Sequence, residues 1–123
     1  MVRDVTICGS KACRKVRAIV DTGATNTCVT QEIAKLIGLE ERKRGTVGTA
    51  SGDVETYGGP AKVCLRDRGC GCQHGEVIAL PVKEFGDGAQ ALLGQQYFDR
   101  AKATIDAYKD RIRCRARGRC RPT

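Results

Sequence analysis

The chain has 123 residues, enough for one domain and too few for two ordinary ones. No run of 18 apolar residues occurs, which excludes a membrane-spanning helix, and Met1–Thr6 lacks the pattern of a signal peptide, so a cytoplasmic protein is expected. The net charge of +8 is uneven: residues 109–123 hold seven basic side chains and one acid, the first 108 residues are near neutral, and five aromatics are too few to make base stacking a theme of the body.

In chain order, Val2–Cys8 and Arg14–Val20 read as strands joined by a turn at Gly9-Ser10-Lys11-Ala12, with Cys8 and Cys13 flanking it. Thr30–Leu39 reads as a short helix. Thr30 can cap it, Ile33, Leu36 and Ile37 share a face, and Gly38 supplies a left-handed exit. Thr46–Thr56 reads as a second hairpin with Ala50-Ser51-Gly52-Asp53 at its tip. Ala61–Leu65 and Glu76–Pro81 read as the arms of a third, joined by a polar loop over Arg66–Gly75. Glu84–Ala89 is expected to be a loop, Gln95–Lys102 a short helix, and Thr104–Tyr108 a final core strand. The order predicts a mainly β domain with one or two short helices, its sheet closed or sandwich-like, over residues 1–108. Residues 109–123 then form a basic tail rich in arginine and cysteine.

The chemistry concentrates in Ala18-Ile19-Val20-Asp21-Thr22-Gly23-Ala24-Thr25. An apolar strand runs directly into an acid. An aspartate at the end of a buried strand is expensive to ionise unless donors surround it. Thr22 offers a hydroxyl, and Gly23 lets backbone approach the carboxylate without a Cβ clash. The plain alternative is an Asp-Thr-Gly turn in which the acid caps its own loop.

The segment resembles the active-site loop of the retropepsin-like aspartic peptidases, and the resemblance extends in order over about residues 2–108. After Ile19-Val20-Asp21-Thr22-Gly23-Ala24 comes a glycine-containing hairpin, Thr49-Ala50-Ser51-Gly52, similar to the family's flap. Then come Leu92-Leu93-Gly94 with a helix from Gln95, and a closing strand at Thr104-Ile105-Asp106. The resemblance implies a closed β-barrel-like acid-protease fold and an aspartic endopeptidase without metal or organic cofactor. Asp21 is the implied catalytic residue, with Thr22, Gly23 and Ala24 shaping its loop. Thr49, Ala50, Ser51 and Gly52 would cover the substrate, and Leu92, Leu93 and Gly94 would pack beneath the active loop. Asp106 reads as structural.

Such chemistry needs two aspartates. Asp53, Asp87 and Asp106 are not followed by Thr-Gly or Ser-Gly, so a homodimer with one Asp21 from each chain is expected. The expected substrate is an extended peptide paired by main-chain bonds.

Eight cysteines are many for a reducing cytosol. Cys8 with Cys13, and Cys64 with Cys70 or Cys72, can be cross-strand neighbours. Cys114 and Cys120 can pair within the tail or across a dimer. Cys28 reads as a small buried hydrophobe. Cys70-Gly71-Cys72-Gln73-His74 has thiolates and an imidazole, but its spacing is wrong for a standard zinc knuckle, and no metal site is assigned. From Arg111 to Arg121 every odd position is arginine. This stretch is read as a mobile arm with non-specific affinity for nucleic acid or acidic partners. Two other readings remain at this stage: a non-catalytic peptide-binding or regulatory dimer on the same fold, and a cysteine-rich module responding to metal or redox state.

Overall fold

The computed structural model describes residues 1–115. Strands β1 (Val2–Cys8) and β2 (Cys13–Val20) form an antiparallel hairpin in register from Val2↔Ile19 to Cys8↔Cys13. Period-two alternation turns Val5, Ile7, Val16 and Ala18 into the core. Gly9 N–H donates to the Ala12 carbonyl across the turn at 3.0 Å, and a disulfide joins Cys8 to Cys13.

β3 (Thr27–Thr30) runs without a break into helix α1 (Gln31–Ile37). Thr30 ends the strand and caps the helix, its hydroxyl accepting from Ile33 N–H at 3.3 Å. Gly38, at φ +70°, closes the helix in the left-handed region. Seven residues make a weak helix alone. The buried face of Ile33, Ala34 and Ile37 holds it to the barrel.

β4 (Lys43–Thr49) pairs with the first half of β5 (Gly52–Leu65), a strand of 14 residues. The second half of β5 pairs with β6 (Cys72–Leu80) and with β1. β7 (Ala91–Leu93) lies between β2, to which it is parallel, and β3, to which it is antiparallel. β3 in turn pairs parallel with β6. The order β1-β2-β7-β3-β6-β5 therefore closes on itself through the β1–β5 pairing, and β4 stands outside that ring. The six-stranded closed barrel and two short helices are the expected fold. Its interior is filled by Ile7, Val29, Leu65, Val77 and Leu93 from five of the strands and by Phe98 from α2 (Gln95–Ala101). Full burial of such a side chain contributes roughly 1.5–3 kcal/mol.

Five local expectations are corrected. The polar connection is shorter than Arg66–Gly75, because Cys72–Gly75 continue the ladder as partners of Ala61–Cys64. The second and third hairpins share one strand, since β5 runs unbroken through Pro60, an exposed residue paired with Glu76. The closing segment is not a core strand over Thr104–Tyr108. β8 (Ala103–Asp106) pairs only with β9 (Arg111–Cys114), in a two-stranded sheet separate from the barrel. Residues 111–114, read from sequence as part of a mobile arm, are thus an ordered strand with Ile112 buried. Cys114 is bonded to Cys70, so it is not the partner of Cys120, which lies outside the described residues. The remaining bridge is Cys64–Cys72, between directly opposed residues of β5 and β6.

Candidate active site

Asp21 leaves the end of β2 and starts the loop that crosses over β7 to reach β3. Its backbone N–H donates to the Leu93 carbonyl at 3.0 Å, extending the β2–β7 pairing by one residue. Its carboxylate Oδ1 accepts from Gly23 N–H at 3.0 Å, and its carbonyl accepts from Ala24 N–H at 3.1 Å. The acid is therefore aimed by its own loop. A Cβ on Gly23 would sit 3.2 Å from Oδ1, so the bare backbone keeps that approach open. Asp21 is half-buried, and Thr22 and Gly23 are exposed. Among the described residues no ion pair joins Asp21 to a cation.

The floor of the loop is the turn from β7 into α2. Gly94 N–H donates to Thr27 Oγ1 at 3.2 Å. An added Cβ at Gly94 would meet the Asn26 carbonyl group at 2.4 Å, so only glycine lets the two segments touch. Gly94 also precedes α2 as a cap without a side chain, which leaves the helix's first N–H groups in need of acceptors. The loop provides them: Gln95 N–H donates to the Ala24 carbonyl at 2.8 Å and Gln96 N–H to the Thr25 carbonyl at 2.9 Å. Thr27, Gln95 and Gln96 escaped the sequence reading. The signal for them was the missing Ser, Thr, Asp or Asn before α2.

The structure thus joins Asp21–Ala24 to Leu93 and Gly94, while Leu92 pairs with Ile19 on one side and Cys28 on the other. The third set of expected residues stands at the tip of the β4–β5 hairpin. Thr49 pairs with Gly52 across the two-residue tip Ala50-Ser51, whose residues are exposed. Gly52 has φ +116°, a value that side-chain-bearing residues rarely adopt. Because β5 continues into the barrel, the hairpin is a direct extension of a barrel strand. A cavity of about 740 Å³ lies between α1 and this hairpin, lined by Lys35, Leu39, Arg44 and Tyr57 among others, and Asp21 does not line it.

Cys28 follows the loop, half-buried, with Sγ 3.6 Å from the Asn26 carbonyl oxygen. Burial pushes its thiol up, and the charge of Asp21 adds to the effect. A reactive thiolate needs the opposite shift. Cys64, Cys70 and Cys72 are all in disulfides, which removes the thiolates a zinc site beside His74 would need.

The family model described as "gag-polyprotein putative aspartyl protease" matches residues 9–100. No curated protein matches the sequence. The solution structure of the simian foamy virus (mac) protease is similar in fold, with TM-score 0.55 and 19% identity over 80% of this chain and 92% of that one. EIAV protease, solved with the inhibitor HBY-793, gives TM-score 0.58 and 16% identity over 86% of this chain and 91% of that one. At such identities the two structures speak for the fold alone, whereas the sequence match covers most of the chain, both Asp21 and Gly94 included. The chain belongs to the gag-polyprotein aspartyl protease family and has the fold of the retroviral proteases.

Proposed function

We propose that the chain is an aspartic endopeptidase whose site forms when two copies each contribute Asp21. The observation that carries this reading is a single carboxylate held on a braced loop, in a chain of this family, with no second Asp-Thr-Gly. Two carboxylates in contact cannot both ionise easily, so they share a proton. The ionised one takes a proton from a water held between them, and that water attacks the scissile carbonyl. The protonated one donates to the carbonyl oxygen, and the pair then protonates the leaving nitrogen. The hairpin tip at residues 49–52 covers an extended peptide that adds main-chain hydrogen bonds to its edge. A cytoplasmic setting remains a proposal with one condition: three disulfides persist only where the cytosol tolerates them.

The test is cleavage of a broad peptide library between pH 3 and 8 by wild type and by Asp21→Asn. Wild type is expected to cleave within this range. The variant, which cannot supply the base, is expected to lose at least about a hundredfold in rate. Equal cleavage by both would overturn the reading. If both proteins dimerise, bind peptides and leave them intact, the fold serves a non-catalytic peptide-binding role.

A further inference from the structure

The β8–β9 hairpin presents an arginine row that the peptidase reading does not use. On β9, Ile112 and Cys114 point into the protein, while Arg111, Arg113 and Arg115 are exposed. Alternate residues of a strand repeat at about 6.7 Å and share a face, so Arg111 and Arg113 stand side by side on β9, with Arg115 immediately after its end. The row is held rigidly. Cys114 is bonded to Cys70, its N–H donates to the Arg68 carbonyl at 3.1 Å, and Arg115 N–H donates to the Ala101 carbonyl at 3.1 Å.

Two of the three nearby acids are already paired with a cation. Asp67 and Asp110 are bound by Arg3, at 2.9 and 3.0 Å, and Asp106 Oδ1 accepts from Lys109 N–H at 3.1 Å. Among the described residues none of Arg111, Arg113 and Arg115 has a carboxylate partner. Arg111 and Arg113 line two adjoining open hollows of about 460 and 390 Å³, the first shared with Arg68 and the Arg3-bound Asp67 and Asp110, the second with Lys109, Thr104 and Asp106. Tyr108, in the turn of the same hairpin, is 98% exposed.

We propose that this hairpin binds single-stranded nucleic acid, with Arg111, Arg113 and Arg115 on successive phosphates and Tyr108 stacked on a base. Guanidinium groups engage phosphate oxygens in pairs, and a regular row follows a linear polyanion. Tyr108 decides between polyanions. An unpaired base offers a face to an exposed ring, whereas bases in a duplex are stacked on each other, and an acidic peptide has no such face.

The inference goes beyond the peptidase reading and is tested without peptide cleavage. The full chain is titrated into a fluorescein-labelled single-stranded oligothymidylate of about 15 nucleotides, and anisotropy is read across a salt series. Competitors are a duplex of equal charge and polyglutamate. Tyr108→Ala is expected to weaken single-strand binding about tenfold, with the salt slope and duplex binding unchanged. Arg111→Gln with Arg113→Gln is expected to lower the log–log salt slope by about 1.4, two phosphate contacts. Both variants alter exposed side chains, and unchanged melting temperatures would verify their folds. The proposal is overturned if duplex or polyglutamate competes as well as the single strand. It is also overturned if both variants bind like wild type, which would locate binding in residues 116–123.

Discussion

Tyr97 links the helix under the candidate site to the connection between β5 and β6. Its ring is buried edge-on against Phe98, centroids 5.6 Å apart, and its hydroxyl donates to the Gly71 carbonyl at 2.6 Å. Burial pushes the phenol up to about 12, because a phenolate there would lose its hydration. The unfolded chain gives up this proton near the ordinary value of about 10. Its contribution is therefore complete below about pH 10 and is lost as pH rises through about 12. Tyr97→Phe keeps the ring packing, removes the hydrogen bond and removes this titration. At pH 8 it is expected to be about 1 kcal/mol less stable than wild type. Urea midpoints measured from pH 8 to 11 should converge as the pH rises. A gap that stays constant would mean that Tyr97 is not protected in this way.

At the scale of elements, β8 and β9 are the least self-sufficient part of the fold. A two-stranded sheet is marginal in water. This one rests on buried Ile112, on Arg3 reaching Asp110, and on the Cys70–Cys114 bridge. That bridge spans 44 residues, and in the chain-entropy view constraining a loop of this length is worth up to about 4 kcal/mol. Replacing both cysteines by serine is expected to lower stability by roughly 2–4 kcal/mol. Amide exchange should accelerate in β8 and β9 while the β1–β2 and β5–β6 ladders keep their protection. Unchanged protection in β9 would show that Ile112 and Arg3 hold the strand unaided. The same hairpin marks where the sequence stops being readable. Arginines at alternate positions repel one another and read as a mobile arm, and nothing local announces that Cys114 is tied to Cys70, 44 residues earlier. Cys8–Cys13 was readable because a tight turn sets its register. Cys64 had two candidates, because deciding between them requires knowing where β6 begins, and the polar Gln73-His74 pair conceals that start. The Asp21 loop was readable for a similar local reason: the acid, its glycine donor and the strand that feeds them are contiguous. Its support by Gln95 and Gln96 runs through backbone N–H groups, and that by Thr27 through a hydroxyl on a distant strand, so the only local trace is the missing capping side chain before α2.

In the whole molecule, the barrel ring positions both the Asp21 loop and the hairpin tip, and under the proposed function one chain supplies only half of the site. Asp21 sits on the loop that joins the two neighbours of β7, so its position is set from both sides and from α2 below. The tip at residues 49–52 rides on β5, which is anchored in the ring by β6 and β1. A carboxylate so placed has no second Asp-Thr-Gly in its own chain to share a proton with. Under the proposed function, a twofold pairing of chains would supply the second from the same surface of another copy. On that proposal Asp21→Asn is expected to act as a dominant inhibitor as well as an inactive enzyme, because a mixed dimer would carry one carboxylate and one amide. With chains exchanging freely at concentrations where all are paired, adding an equal amount of variant to a fixed amount of wild type should halve the cleavage rate. A threefold excess should leave about one quarter. A site built within one chain would be indifferent to the variant, and the rate would stay flat across the titration. Dilution gives an independent reading of the same quantity. Below the dimer dissociation constant the rate should fall with roughly the square of total chain concentration, whereas a site complete in one chain loses rate only in proportion. A flat response to the variant together with a linear response to dilution would refute the shared site and leave the family and the barrel as they stand.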